Sequence, residues 1–146
     1  MYLEDVDLAF RLQLRGWDSL WQPAAVASHA YSASAREGSP FKRKLIARNR
    51  IWTLARCFPQ ALIPERGLSI LFYDALALGY GLLRDRPSAA GRAEALVRLA
   101  PRWCERREIA PDQGQIERIA AWLMPPVSPR HLQNLRRLTA EYADRG

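Results

Sequence analysis

Tyr2-Leu3-Glu4-Asp5-Val6-Asp7-Leu8-Ala9-Phe10-Arg11-Leu12-Gln13-Leu14-Arg15-Gly16-Trp17 carries its acids in front and its bases behind. Val6, Phe10 and Leu14 recur four apart, with Leu8 and Leu12 beside them, which predicts a short helix with a wide apolar stripe. Glu4 or Asp5 is placed to cap it, the acids complement the positive end of the helix dipole, and Arg11 and Arg15 complement the negative end. Gly16 stands where a left-handed residue ends a helix, and Trp17 closes that end. Three carboxylates in four residues either cap and balance the dipole, or hold a base, position a hydroxyl or help bind a cation.

Beyond Trp17 the periodicity changes. Ser19-Leu20-Trp21-Gln22 alternates, Pro23 interrupts, and Ala25-Val26-Ala27 leads to Ser28-His29, predicting two short extended segments around a turn, edge strands of a sheet. Residues 30–40 are small and polar and predict a loop. The rest reads as helices: Phe41 to Phe58, stopped by Pro59; Leu68 to Leu83, apolar nearly all round; one from a Ser88 cap through about Arg107; Gln113 to Met124; and a last one opened by Ser128-Pro129 and running to about Ala143. The fold class expected is mostly α with two or three short strands.

Composition excludes several classes. The chain has 146 residues, 49% hydrophobic and 25% charged, enough to bury a core and too apolar for intrinsic disorder. Cys57 and Cys104 are far apart, which signals neither a disulfide scaffold nor a Cys-based metal site and suits reduced thiols in the cytoplasm. No basic region followed by an apolar one marks a signal peptide at Met1. The longest apolar run, Gly67 to Leu83, is 17 residues with Asp74 in its middle, against about 20 for a spanning helix. The net charge is +7, and all the bases are Arg except Lys42 and Lys44. Arginine forks onto phosphates and carboxylates, so phosphate-bearing partners come to mind, with an arginine-rich coding bias as the plain alternative. Residues 1–35 hold Glu4, Asp5, Asp7 and Asp18 against Arg11 and Arg15, whereas residues 36–66 hold eight bases against Glu37 and Glu65. An acidic cluster followed by a basic stretch suits a cation beside a phosphate, or simply two solvated faces. No helix-turn-helix, zinc or RNA-binding signature accompanies the charge, and nucleic acid is not expected as a partner.

The acidic segment closely resembles the Glu-Asp-x-Asp-Leu-x-x-Arg segment of family 2 glycosyltransferases, GT-A fold enzymes that use nucleotide-diphosphate sugars. The similarity continues in order through Gly16-Trp17, Pro23-Ala24-Ala25-Val26, His29-Ala30-Tyr31-Ser32-Ala33-Ser34, Gly38-Ser39-Pro40 and Lys44 to Arg48-Asn49-Arg50, as in rhamnosyltransferase-like bacterial members. It implies that residues 1–58 are the C-terminal half of a GT-A catalytic domain, an α/β fold, and that residues 59–146 are a helical tail. By the same resemblance Asp5 is the general base that deprotonates the acceptor hydroxyl, with Glu4 and Asp7 holding it in place. His29 would meet a divalent metal, Mn²⁺ or Mg²⁺, or the donor diphosphate, while Ser32, Ser34, Arg48 and Arg50 would face that diphosphate. The implied partners are a nucleotide-sugar donor and a glycan or lipid-linked acceptor, in cell-surface glycan synthesis.

Two further expectations complete the reading. The nucleotide-binding βαβ half and the Asp-x-Asp type metal motif that precede the acidic helix in such enzymes have no counterpart ahead of Glu4, so the 146 residues alone are expected to be inactive, a truncated enzyme. The apolar run to Leu83 and the seven Arg between positions 84 and 107 suit an interfacial segment on an anionic leaflet, peripheral at the inner face of the plasma membrane. On the residues alone, a non-enzymatic basic helical module that binds the membrane surface or a protein partner fits the same tail.

Overall fold

The structure, a computed structural model, describes residues 2–27, 38–108 and 111–123. His29, Ser32, Ser34 and the helix expected from Ser128 lie outside the described residues. Six α-helices make up most of what is described: α1 (Glu4–Gln13), α2 (Pro40–Cys57), α3 (Ile63–Arg84), α4 (Arg86–Val97), α5 (Leu99–Cys104) and α6 (Gln113–Trp122). The mostly helical expectation therefore holds for the described residues. Among them there is no strand, because residues 18–22 and 25–27, on either side of a turn at Pro23-Ala24, have no partner backbone to pair with. Their apolar side chains face solvent, with Leu20 90% and Trp21 84% exposed.

Local chemistry accounts for the helix ends. Ser39 caps α2, its hydroxyl oxygen accepting from Lys42 N at 3.2 Å, with Pro40 at the first helical position. Gly16 takes the left-handed conformation expected of it, φ +82°. Two boundaries differ from expectation. The cap of α4 is Asp85, whose carboxylate accepts from Ser88 N at 3.4 Å, and Ser88 lies inside the first turn. The helix expected to run on to Arg107 breaks at Arg98 (φ −107°), since Pro101 has no N–H for the Val97 carbonyl and its ring clashes there. Asp112 and Gln115 form a reciprocal capping box at α6.

Packing centres on α2, which touches α1, α4 and α5. At α4 the approach is close enough that a Cβ on buried Gly91 would collide with the Lys44 carbonyl oxygen. Buried Ala47, Ala89 and Ala95 keep side-chain bulk low in these two helices. Charge then ties the pair: Glu94 accepts from Lys44 Nζ and Arg48 Nη1, both at 2.9 Å, and Trp52 Nε1 donates to Ala95 O at 3.1 Å. Those hydrogen bonds, Lys44 first and then Arg48, hold the Glu94 carboxyl down at about 2. A second, apolar cluster joins Leu14, Cys57, Phe58, Leu62 and Ile119, so side chains from both sides of residue 58 meet in it.

Two tests follow from the α2–α4 contact. Gly91→Ala forces the helices apart and is expected to cost about 2–3 kcal/mol, read as a lower Tm. Gly79→Ala in α3, where a Cβ meets nothing within 4 Å, is expected to stabilise by about 0.5–1 kcal/mol. Equal effects of the two would refute the close-approach account. The Glu94 contribution to stability is present above its ordinary pKa of 4.5 and is lost as pH falls through about 2. Denaturant midpoints measured between those pH values should fall for the native chain and change less for Glu94→Gln.

Candidate functional site

The entry to α1 is fixed against α2 by polar contacts. Tyr2 and Leu3 both adopt left-handed φ, 60° and 61°, a conformation that costs non-glycine residues about 1–2 kcal/mol each. Asn49 Nδ2 donates to Tyr2 O at 2.8 Å, and the Lys42 ammonium lies 5.5 Å from the Tyr2 ring centre, which hold that turn in place. Leu3 rather than Glu4 or Asp5 is the N-cap residue, and no side chain caps α1. The three acids instead lie in its first turn, where they still balance the dipole.

Within that turn the carboxylates part company. Asp7 is buried, 7% exposed, and its Oδ1 accepts from Arg56 Nη2 and, at 3.6 Å, from the Cys57 thiol. Its Oδ2 lies 2.9 Å from Arg11 Nε, an ion pair with the i,i+4 residue on the same helix. Glu4 and Asp5 are exposed, and Asp5 Oδ1 accepts from Val6 N at 2.8 Å. A cavity of about 300 Å³ opens beside the turn, and Glu4, Asp7, Arg48, Trp52, Arg56 and Arg102 help line it. Trp52 forms part of its wall, with Arg48 4.5 Å and Arg102 5.0 Å from the ring centre.

The structure thus brings Glu4, Asp7 and Arg48 to one cavity. Arg50 is elsewhere, held by Asp74 at 3.2 Å and stacked 4.5 Å over Tyr73 of α3. Arg48 also has a carboxylate partner, Glu94. Both guanidiniums expected to face a diphosphate are therefore engaged between helices in this structure. The cavity also contains residues not singled out from the sequence: Trp52, Arg56 and Arg102. The spacing of Arg48, Trp52 and Arg56, four apart along α2, was the available signal.

Burial first, and then the Asp7 charge, push the Cys57 thiol up to about 11. It is held protonated and serves as a hydrogen-bond donor to Asp7 rather than as a nucleophile. For Arg56, burial works to lower the pKa, but the hydrogen bond to Asp7 and its charge outweigh that and leave it raised. Among the described residues no group of three or more His, Cys, Asp or Glu side chains could hold a metal ion. Asp7 does not fit such a role, since its two oxygens are already paired with the Arg56 and Arg11 guanidiniums. Compared with family models, with curated proteins and with solved structures, the chain gives no match.

The two cysteines supply a test of the buried cluster. Cys104 is exposed and Cys57 buried, so a thiol reagent added to the folded chain should label Cys104 alone. At pH 8, Cys57 should react about a hundredfold more slowly than an unperturbed thiol, from its ionised fraction alone. Because the folded thiol ionises near 11 and an ordinary one near 9, the stability it lends is complete below pH 9 and lost as pH rises through 11. Rapid labelling of both cysteines in the native chain would refute this placement.

Proposed function

We propose that this chain is the C-terminal part of a family 2 glycosyltransferase of the GT-A fold. The parent enzyme transfers a sugar from a nucleotide-diphosphate donor to a hydroxyl of a glycan or lipid-linked acceptor. The observation that carries the reading is the division of labour in the first turn of α1. Asp7 and Arg11, two fixed positions of the Glu-Asp-x-Asp-Leu-x-x-Arg pattern, pair with each other, and Arg56 and Cys57 of α2 anchor the helix through Asp7. Asp5 stays exposed on the anchored turn, as a base that must meet an incoming substrate requires.

In the reaction Asp5 accepts the proton of the acceptor hydroxyl while that oxygen attacks the anomeric carbon. The carbon–oxygen bond to the diphosphate breaks as the new one forms, the nucleoside diphosphate departs with the bonding pair, and the anomeric configuration inverts. Asp7 is a positioning residue: its ion pairs set the angle at which the first turn presents Asp5. Residues 18–27, exposed and without a strand partner here, would complete the short strands of the GT-A sheet beside the donor-binding half.

The test uses the enzyme together with its donor-binding half. Asp5→Asn is expected to lower transfer by about a hundredfold or more with donor affinity and Tm unchanged. Asp7→Asn leaves Arg56 without its nearest countercharge and is expected to lower stability by about 3 kcal/mol. A full rate in Asp5→Asn would remove Asp5 as the base. The 146 residues alone should give no transfer, and measurable turnover of a nucleotide-sugar by them would overturn the assignment of donor binding to another part.

A further inference from the structure

The outer side of α3 is an apolar surface that the described residues leave uncovered. Leu68, Leu71, Phe72, Leu76, Tyr80 and Leu83 recur at helical spacing and are all at least 60% exposed. From Leu68 to Leu83 the helix extends about 24 Å, and its single charged residue in that stretch, Asp74, is turned inward, 3.2 Å from Arg50 and 3.8 Å from Arg92. An uninterrupted face of this kind marks a contact surface rather than scattered exposure.

The charges around the face select what covers it. Each acid in or next to α3 has a guanidinium partner: Glu65 with Arg66 at 2.9 Å, Asp74 with Arg50, and Asp85 with Arg43 at 3.3 Å. Arg84 and Arg86, at the C-terminal end of the face, are exposed and have no carboxylate partner among the described residues. In a second copy packed antiparallel, Arg84 and Arg86 would meet the neutral Glu65–Arg66 pair; packed parallel, they would meet each other. Neither supplies a countercharge. An anionic bilayer supplies both an apolar layer for the leucines and a phosphate layer for the arginines. No helix among the described residues is long and apolar enough to cross a membrane, so α3 would lie along the surface.

We propose that α3 docks flat on an anionic membrane surface, its Leu68-to-Leu83 stripe at the boundary of headgroups and acyl chains and Arg84 and Arg86 on lipid phosphates. Phe72 and Tyr80 sit on the exposed side, as side chains at that boundary commonly do. The inference does not rest on the catalytic reading, and Asp5 plays no part in it.

Vesicle flotation with the purified chain tests it, using phosphatidylcholine mixed with phosphatidylglycerol and phosphatidylcholine alone. The chain should float with the mixed vesicles at low salt, and less as salt rises. Phe72→Glu with Leu76→Glu, both at exposed positions, should abolish flotation while circular dichroism shows unchanged helix content. Arg84→Gln with Arg86→Gln should weaken binding to the mixed vesicles about tenfold or more and leave the small binding to neutral vesicles unchanged. No flotation at low salt would overturn the proposal, as would equal binding to both vesicle types or full binding by the Phe72→Glu, Leu76→Glu chain. A dimer in sedimentation equilibrium that this double substitution dissociates, with no vesicle binding, would assign the face to a second copy instead.

Discussion

The Asp7 carboxylate is what places α1, and the candidate site depends on where α1 lies. A ten-residue helix is marginal in water on its own. Its apolar stripe supplies little at the front, because Val6, Leu8 and Leu12 remain exposed and only Phe10 and Leu14 reach the apolar cluster. The front must be held by polar contacts, and Asp7 makes them with Arg11, Arg56 and Cys57. Burying a carboxylate is expensive, and two guanidiniums with a thiol donor offset that cost. Two residues along a helix turn about 200°, so fixing Asp7 inward sets Asp5 on the outward side.

The same logic explains the arginine content. An arginine-rich helix after an acidic one suggests phosphate, yet on α2 the arginines mainly connect helices. Arg43 reaches Asp85, Arg48 reaches Glu94, Arg50 reaches Asp74, and Arg56 reaches both Asp7 and Glu105. With Gly91 and several alanines at or near the α2–α4 contact, the two backbones approach closely but bury little side-chain area. Forked, always-charged side chains at the rim then supply part of the specificity that a thicker core would provide. Stacking on Trp52, Tyr73 and Trp103 adds to it.

Features that depend on neighbours in sequence are legible in the sequence itself. Pro59 stops α2, Gly16 closes the end of α1, and the Gln113 start of α6 follows from its apolar spacing, while α2 begins at Pro40 under a Ser39 cap rather than at Phe41. Asp85 was missed as a cap because Ser88, beside Pro87, offers the same chemistry three residues later. Pro101 was visible, but the apolar pattern of Leu96, Leu99 and Trp103 runs straight across it. Ion pairing was not legible at all. Arg48 and Glu94 lie 46 residues apart, and Arg56 and Asp7 lie 49 apart, with several carboxylates of equal merit between. The site shows both sides of this: acids adjacent in sequence were found, while the guanidiniums facing them from α2 and α5 needed the fold.

What the fold leaves outside follows the same division. Nearly half of the residues are hydrophobic, yet no large side chain among those described is fully buried. More than half of the exposed large ones lie in residues 17–26 and on α3, and the rest are spread over the other five helices. The two surfaces also differ in kind. Residues 17–26 are non-helical and pair with no strand among the described residues, so another stretch of chain is the natural cover there. The backbone of α3 is already hydrogen-bonded within the helix, so its cover need only be apolar, and Arg84 and Arg86 at its end, without a carboxylate partner among the described residues, favour a cover that is also anionic.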